Sequence, residues 1–300
     1  MNRAIEKKLV GGSEFFTDST HIKANANKKK FKTEVTRKIK ERKLDLEKEI
    51  NEERKKIGKK PFEYKDKEET KKQRINTTDP DSGYYHRDYK EEGFMYLDHR
   101  TVDGKNNIIM DCHITPGNVH DSVGYIGRID EIEKNFGLIP SKVALDSGYY
   151  SLDILKQLDK RHIFSVIGYR RFSKSKDTKY FKYLYEKDIF VDTRTGEIFE
   201  YKNIDRNGYK EYRSADKKEK KKIRRHIDAD YYDKARLRRI SKEGRILYKK
   251  RKETIERSFA DSKQNHGYRY AQYRGKAKVQ SYAWLSCCVQ NMKTVALREG

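Results

Sequence analysis

Apolar residues in this chain fall into short dense runs separated by long charged stretches. Glu14 to Thr20 is a β-prone run that carries Asp18 where its apolar part stops, and His21 to Lys28 continues it with alternating polarity. Gly93 to Val102 and Ile108 to Thr115 are two further strand-like runs, joined through Asp103-Gly104, a strong hairpin signal. With the first run they predict three strands in antiparallel succession. Pro116 to Ser122 then turns the chain into a helix of about 122–136, with Asp121 or Ser122 as its N-cap. Val143 to Leu145 reads as a strand buried on both faces, and Asp146 closes it. Ser151 can cap a helix from Leu152 to Lys160, and His162 to Gly168 is another buried-type strand, which completes a βαβ unit. A last amphipathic helix is expected from Ala277 to Leu297, with Val279, Ala283, Val289, Met292 and Val295 on or near one stripe.

Two stretches interrupt this α/β pattern. Residues 28–78 are dense in Lys and Glu, and Val35, Ile39, Leu46, Ile50 and Ile57 recur at spacings of 4 and 7. That eleven-residue pattern predicts a long, thinly striped helical insertion, ended by Gly58 and Pro61. Residues 172–245 predict short hairpins around Thr195-Gly196 and Asn207-Gly208, with a basic run from Lys217 to Arg225, as a second insertion. Its basic run suits a nucleic-acid surface, with a flexible solvated charge run as the rival reading. The remainder forms one catalytic-size domain over 12–300, preceded by a short irregular or weakly helical start.

Composition adds the partner. Lys and Arg outnumber Asp and Glu by 71 to 47 in 300 residues, a net charge of +24, so a polyanion, by default nucleic acid, is the expected partner. No apolar run is long enough to span a membrane and no signal peptide opens the chain, which points to a cytoplasmic protein. The three cysteines, Cys112, Cys287 and Cys288, form no CxxC pair and read as reduced, buried thiols.

Candidate chemistry centres on Arg251 to Lys263, which contains only residues compatible with a helix. At helical spacing Lys252, Glu256, Phe259 and Lys263 fall within an arc of about 60°. That face would put Phe259 on a core with Glu256 at its rim, although a surface helix laced with salt bridges gives the same letters. Asp18 and Asp146 both end core strands and are followed by Ser, at the rim where open α/β sheets keep ligands. Two or three carboxylates on such rigid elements could hold Mg²⁺ for phosphoryl chemistry, whereas no Ser nucleophile motif occurs. Each acid alone is explained as a cap or turn former, as are Asp79 and Asp81. His120-Asp121 could be a base with its orienting acid, but the cap is preferred. Gln264 to Gly275 interleaves rings with Arg269 and Arg274, which suits stacking plus phosphate binding as well as a packed loop with two exposed arginines.

Taken in order, these residues resemble DDE-type insertion-sequence transposases. Phe16-Thr-Asp-Ser-Thr-His-Ile-Lys-Ala-Asn25 is similar to that family's first-Asp strand, Ala144-Leu-Asp-Ser-Gly-Tyr149 to its second, and Lys252-x3-Glu256-x6-Lys263 to its C-terminal R-x3-E-x6-K signature. Lys252 takes the signature's Arg position with Arg251 beside it, its Tyr falls one place off at Tyr248, and Glu253 is a rival third acid. The resemblance implies an RNase H-like mixed sheet flanked by helices, with a charged helical insertion after the first strand and a second insertion before the Glu-bearing helix. It implies Mg²⁺-dependent DNA cleavage and strand transfer at transposon ends, Mn²⁺ substituting, with Asp18, Asp146 and Glu256 as catalytic metal ligands. Lys252, Lys263, Arg269 and Arg274 would bind DNA. The implied partners are transposon-end and target DNA and a second copy in a homodimer, in the bacterial cytosol at the nucleoid. Only seventeen residues precede Asp18 and no cysteines occupy residues 172–245, so a remnant without the family's N-terminal end-binding region, inactive or regulatory, is the alternative expectation.

Overall fold

A computed structural model describes residues 1–39, 43–88, 91–169, 180–214 and 221–299. In chain order the elements are α1 (Asn2–Glu6), β1 (Glu14–Lys23), β2 (Phe31–Ile39), α2 (Leu44–Lys56), β3 (Glu68–Asn76), β4 (Gly83–Tyr85), β5 (Gly93–Asp103) and β6 (Ile109–Pro116). There follow α3 (Tyr125–Phe136), β7 (Lys142–Leu145), α4 (Leu152–Lys160), β8 (Phe164–Ile167), β9 (Phe181–Leu184), β10 (Ile189–Asp192), β11 (Ile198–Ile204), β12 (Tyr209–Ser214) and β13 (Lys222–His226). Four helices close the chain: α5 (Ala229–Ile240), α6 (Lys242–Lys250), α7 (Ile255–Asn265) and α8 (Lys276–Glu299). The chain is thus mixed α/β, in two compact units.

The first unit comprises Met1–Thr36, Lys71–Arg170 and Lys234–Gly300. Its sheet runs β4-β5-β1-β7-β8, with β6 also on β5. β5 pairs antiparallel with β1 and with β6, whereas β1, β7 and β8 are parallel. All eleven residues of β5 are buried, as the central strand of a two-sided sheet must be. Phe16, Ala144 and Val166 face one layer, where Leu247, Ile255, Phe259, Val279 and Ala283 from α6, α7 and α8 meet them. α3 and α4 bury Ile129, Ile132, Ile154, Leu155 and Leu158. The Asp103-Gly104 hairpin and α4 lie where the sequence puts them, with Ser151 accepting from Ile154 N–H at 3.4 Å.

The second unit, Arg37–Thr70 and Arg171–Asp233, holds an antiparallel sheet in the order β13-β12-β11-β10-β9. Phe190, Phe199 and Tyr212 form its small core, with Phe181, Tyr183, Tyr201 and Ile223 packed around them. Lys210 bridges Glu53 of α2 at 2.9 Å and Asp188 at 3.1 Å, which ties the helix to the sheet.

Several expectations need correcting. The single long helix over 28–78 is instead a β2-β3 ribbon plus the short α2, and Val35 and Ile39 lie exposed on β2. Phe31, Thr33, Val35 and Ile39 are β-prone at alternate positions, so the period of two wins over the looser spacing of 4 and 7. In the second insertion the hairpins merge into one sheet. Residues 172–179, and 217–220 of the basic run, lie outside the described residues; its end, Lys222 to Arg225, lies on β13. α3 begins at Tyr125 with Gly124 as N-cap in the left-handed region, so neither Asp121 nor Ser122 caps it. On α8 the buried face is Val279, Gln280, Ala283, Ser286, Cys287 and Gln290, while Val289 and Met292 are exposed, as is Cys288. The Ile109 and Ile114 amides and the Cys112 carbonyl of β6 need partners there. Gln280 and Asn291 of α8 meet them, which turns a polar stripe inward.

Candidate active site

Thr17 of β1 pairs in parallel with Leu145 of β7, and Asp18 and Asp146 are the next residue on each strand. The two acids therefore stand next to one another in register, at an inter-strand spacing of about 4.8 Å; Asp146 closes β7 as expected, whereas Asp18 does not end its strand, because β1 runs on to Lys23 against β5. Both carboxylates turn to one guanidinium. Arg251 Nη2 lies 2.6 Å from Asp18 Oδ2, and Arg251 Nη1 lies 3.6 Å from Asp146 Oδ1. Nη1 also donates to Tyr248 Oη at 3.1 Å, and the Ser19 N–H donates to the second Asp18 oxygen at 2.8 Å.

Burial dominates the electrostatics here. It pushes the Asp18 carboxyl up to about 6, against the pull of Arg251 and the Ser19 amide, and the charges of Asp146 and Asp121 add to the rise. Replacing Arg251 by Gln takes away the strongest opposing influence. The Asp18 titration midpoint should then move above about 6; a carboxyl-carbon NMR titration checks this, and an unmoved or lowered midpoint would contradict it.

Arg251 reaches the acids because the expected helix over 251–263 is not continuous. α6 ends at Lys250, residues 251–254 form a turn, and α7 starts only at Ile255. Within that turn Thr254 Oγ1 donates to the Lys250 carbonyl at 2.9 Å, and the Glu256 N–H donates to the Arg251 carbonyl at 3.1 Å. The extra residue between Arg251 and Glu256 is absorbed there, so Arg251 and Tyr248 act together and Lys252 is exposed. The signal for this was the three-residue step from Tyr248 to Arg251.

Glu256 sits in the first turn of α7 with its side chain exposed, and it does not join the contacts among Asp18, Asp146 and Arg251. Phe259 faces the core, as expected. Lys263, one face along, donates to Thr20 Oγ1, and burial followed by the charge of Arg269 lowers its ammonium. Arg269 and Arg274 are exposed on a loop anchored by buried Tyr268 and Ala271, and Arg274 Nε donates to the Asn25 carbonyl at 2.9 Å. Asp79 and Asp81 do cap. They accept from the Gly275 and Lys276 amides at the start of α8, at 3.0 and 2.9 Å.

A divalent cation is fitted by part of this arrangement. Asp18 and Asp146 already converge on a single positive group, which is what a shared ion requires. Among the described residues, however, no group of three or more His, Cys, Asp or Glu side chains is placed to hold a metal.

None of the described helices is long and apolar enough to cross a membrane. No curated protein and no solved structure matches the chain. Residues 205–296 match a family model, the transposase DDE domain; the segment includes Tyr248, Arg251, Glu256 and Lys263 but neither Asp18 nor Asp146. That family implies a nuclease or transposase class of enzyme that binds DNA and generally depends on a divalent metal. Over residues 205–296, under a third of the chain, the sequence is similar to the transposase DDE domain, and that similarity supports a DDE-type transposase.

Proposed function

We propose that the chain is a transposase that cleaves DNA at the ends of an insertion sequence and joins those ends to a target. The observation that carries this reading is that Asp18 and Asp146 directly follow Thr17 and Leu145, the last parallel pair of β1 and β7, and both face Arg251. The strand order, antiparallel β6-β5-β1 continued by parallel β1-β7-β8, supports an RNase H-like sheet. Asp18 and Asp146 would hold Mg²⁺, with Mn²⁺ as substitute, and Glu256 is the third acid the signature supplies. When bound, such ions activate a water or 3′-hydroxyl and neutralise charge on the phosphate. Arg251 supplies positive charge to both neighbouring carboxylates. Lys263, Arg269 and Arg274 lie on α7 and the loop after it, where cations can meet a DNA backbone.

One observation favours a second reading, DNA binding without cleavage: Glu256 stands apart from the Asp18–Asp146 pair and no three-membered metal group occurs among the described residues. Nicking of supercoiled plasmid separates the two. The enzyme reading expects nicks with Mg²⁺ or Mn²⁺ and none with EDTA. Tight, salt-sensitive DNA binding with no nicks under any divalent ion would leave the second reading standing and end the first.

A further inference from the structure

Asp121 was expected to cap α3 or to orient His120, and it does neither. The cap position belongs to Gly124, and the His120 ring meets Ser122 Oγ at 2.8 Å. The carboxylate of Asp121 instead touches both strands of the acid pair. Its Oδ1 accepts from Ser19 Oγ at 2.6 Å, and the amide of that same Ser19 holds Asp18. Its Oδ2 lies on Gly148, two residues past Asp146, so closely that a Cβ there would stand 2.2 Å away. Gly148 belongs to the tight 3-10 turn Ser147–Tyr149, whose Tyr149 N–H returns to the Asp146 carbonyl at 3.0 Å. Burial raises the Tyr149 phenol, and the charges of Asp121 and Asp18, with Tyr125, add to that rise.

Side chains alternate along a strand, so Ser19 points to the face of the sheet opposite to Asp18 and Thr20. Arg251 and Lys263 engage Asp18 and Thr20 on one face, and Asp121 engages Ser19 on the other. Resting on the transposase reading above, we infer that Asp121 is a positioning residue for the reaction. Its Oδ1 holds Ser19 within β1 and its Oδ2 packs on the turn after β7, both from the far face, and so they fix how Asp18 and Asp146 stand relative to one another. Gly148 is required because the carboxylate occupies the space of its missing side chain.

The test uses the full chain and three readouts: Mn²⁺ affinity by isothermal titration, kcat and KM for plasmid nicking, and thermal unfolding. Partners that orient metal ligands typically alter affinity or activity 10- to 100-fold, so Asp121→Ala should lose about that factor in Mn²⁺ affinity and in kcat. The KM for DNA and the unfolding temperature should stay near wild type. Asp121→Asn keeps an acceptor for Ser19 Oγ and should recover most of the loss. If Asp121→Ala fails to fold, Ser19→Ala carries the same expectation, because it removes the donor from a strand that otherwise keeps its pairing. Wild-type Mn²⁺ affinity and kcat in Asp121→Ala, or an Asp121→Asn as defective as Asp121→Ala, would overturn the inference alone. A wild-type chain that neither binds Mn²⁺ nor nicks DNA would overturn the proposed function, and this inference with it.

Discussion

Asp18→Asn should reduce metal-dependent nicking by about 10³-fold or more, equivalent to roughly 4 kcal/mol of transition-state stabilisation. The amide keeps the shape of the side chain, and its single oxygen can still accept from either Arg251 Nη2 or the Ser19 amide, which the carboxylate receives on separate oxygens. What it removes is the negative charge. The same substitution should act on stability in the opposite direction. Asp18 titrates at about 6 in the folded chain, above the ordinary carboxylate value of 3.8. The folded state therefore holds its proton more tightly than the unfolded state. Stability from this group is fully present below about pH 4 and is lost as pH rises through about 6. Two pKa units correspond to on the order of 3 kcal/mol. The stability of Asp18→Asn relative to wild type should therefore grow by up to about that amount between pH 4 and pH 8. Urea unfolding at several pH values, run beside the nicking assay, reads both effects. A stability difference that does not change with pH would remove the electrostatic account, and undiminished nicking would remove Asp18 from the chemistry.

The largest loss of stability should come from parting Asp98 and Arg100. Both side chains are fully buried on β5, 2.7 Å apart, and Cys112 Sγ donates to the second Asp98 oxygen at 3.2 Å. Arg100 Nη1 also donates to Ser258 Oγ at 2.9 Å and Ser262 Oγ at 3.0 Å, and the guanidinium lies 4.7 Å from the centroid of Phe259. One charged group therefore fastens α7, and with it Lys263 and Glu256, to the central strand. Removing one partner of such a pair leaves an uncompensated buried charge and costs about 3–5 kcal/mol, a large share of the roughly 5–15 kcal/mol that holds a folded domain together. Asp98→Ala should therefore move the urea midpoint sharply down. Adding Arg100→Met to Asp98→Ala should recover part of the loss, since an apolar pair leaves no stranded charge. A loss below about 1 kcal/mol for Asp98→Ala would mean that water reaches the guanidinium.

Asp146 was legible because it closes an apolar run that becomes a strand; Asp18 carried the same signal, although its strand continues past it to Lys23. The Asp103-Gly104 hairpin and the Ser151 cap were legible because their signals are local. Arg251 was not, because its role follows from the break in the helix at Thr254, three residues on, while Arg251 itself keeps helical dihedrals. The two carboxylates it meets come from distant parts of the chain, and nothing within the helix sequence records them. The ribbon of β2 and β3 was hidden for another reason: its apolar residues are few and exposed, so no burial pattern marks them out. Asp121 read as a cap because Asp before a helix usually is one, yet Gly124 takes that position and frees the carboxylate to reach Ser19 and Gly148. The exposed position of Glu256 could not be read either, since it follows from the turn that precedes it.

Parallel pairing of β1 with β7 works as a ruler made of backbone. The gap between the two acids is set by the parallel register of Phe15, Phe16 and Thr17 on Val143, Ala144 and Leu145, and the long segment between β1 and β4 does not enter that measurement. Segments that leave the sheet after Lys23 and re-enter it at Gly83 can be lengthened, trimmed or exchanged while the distance stays the same. A lineage built on such a gauge can vary what it recognises without having to rebuild the place where bonds are broken.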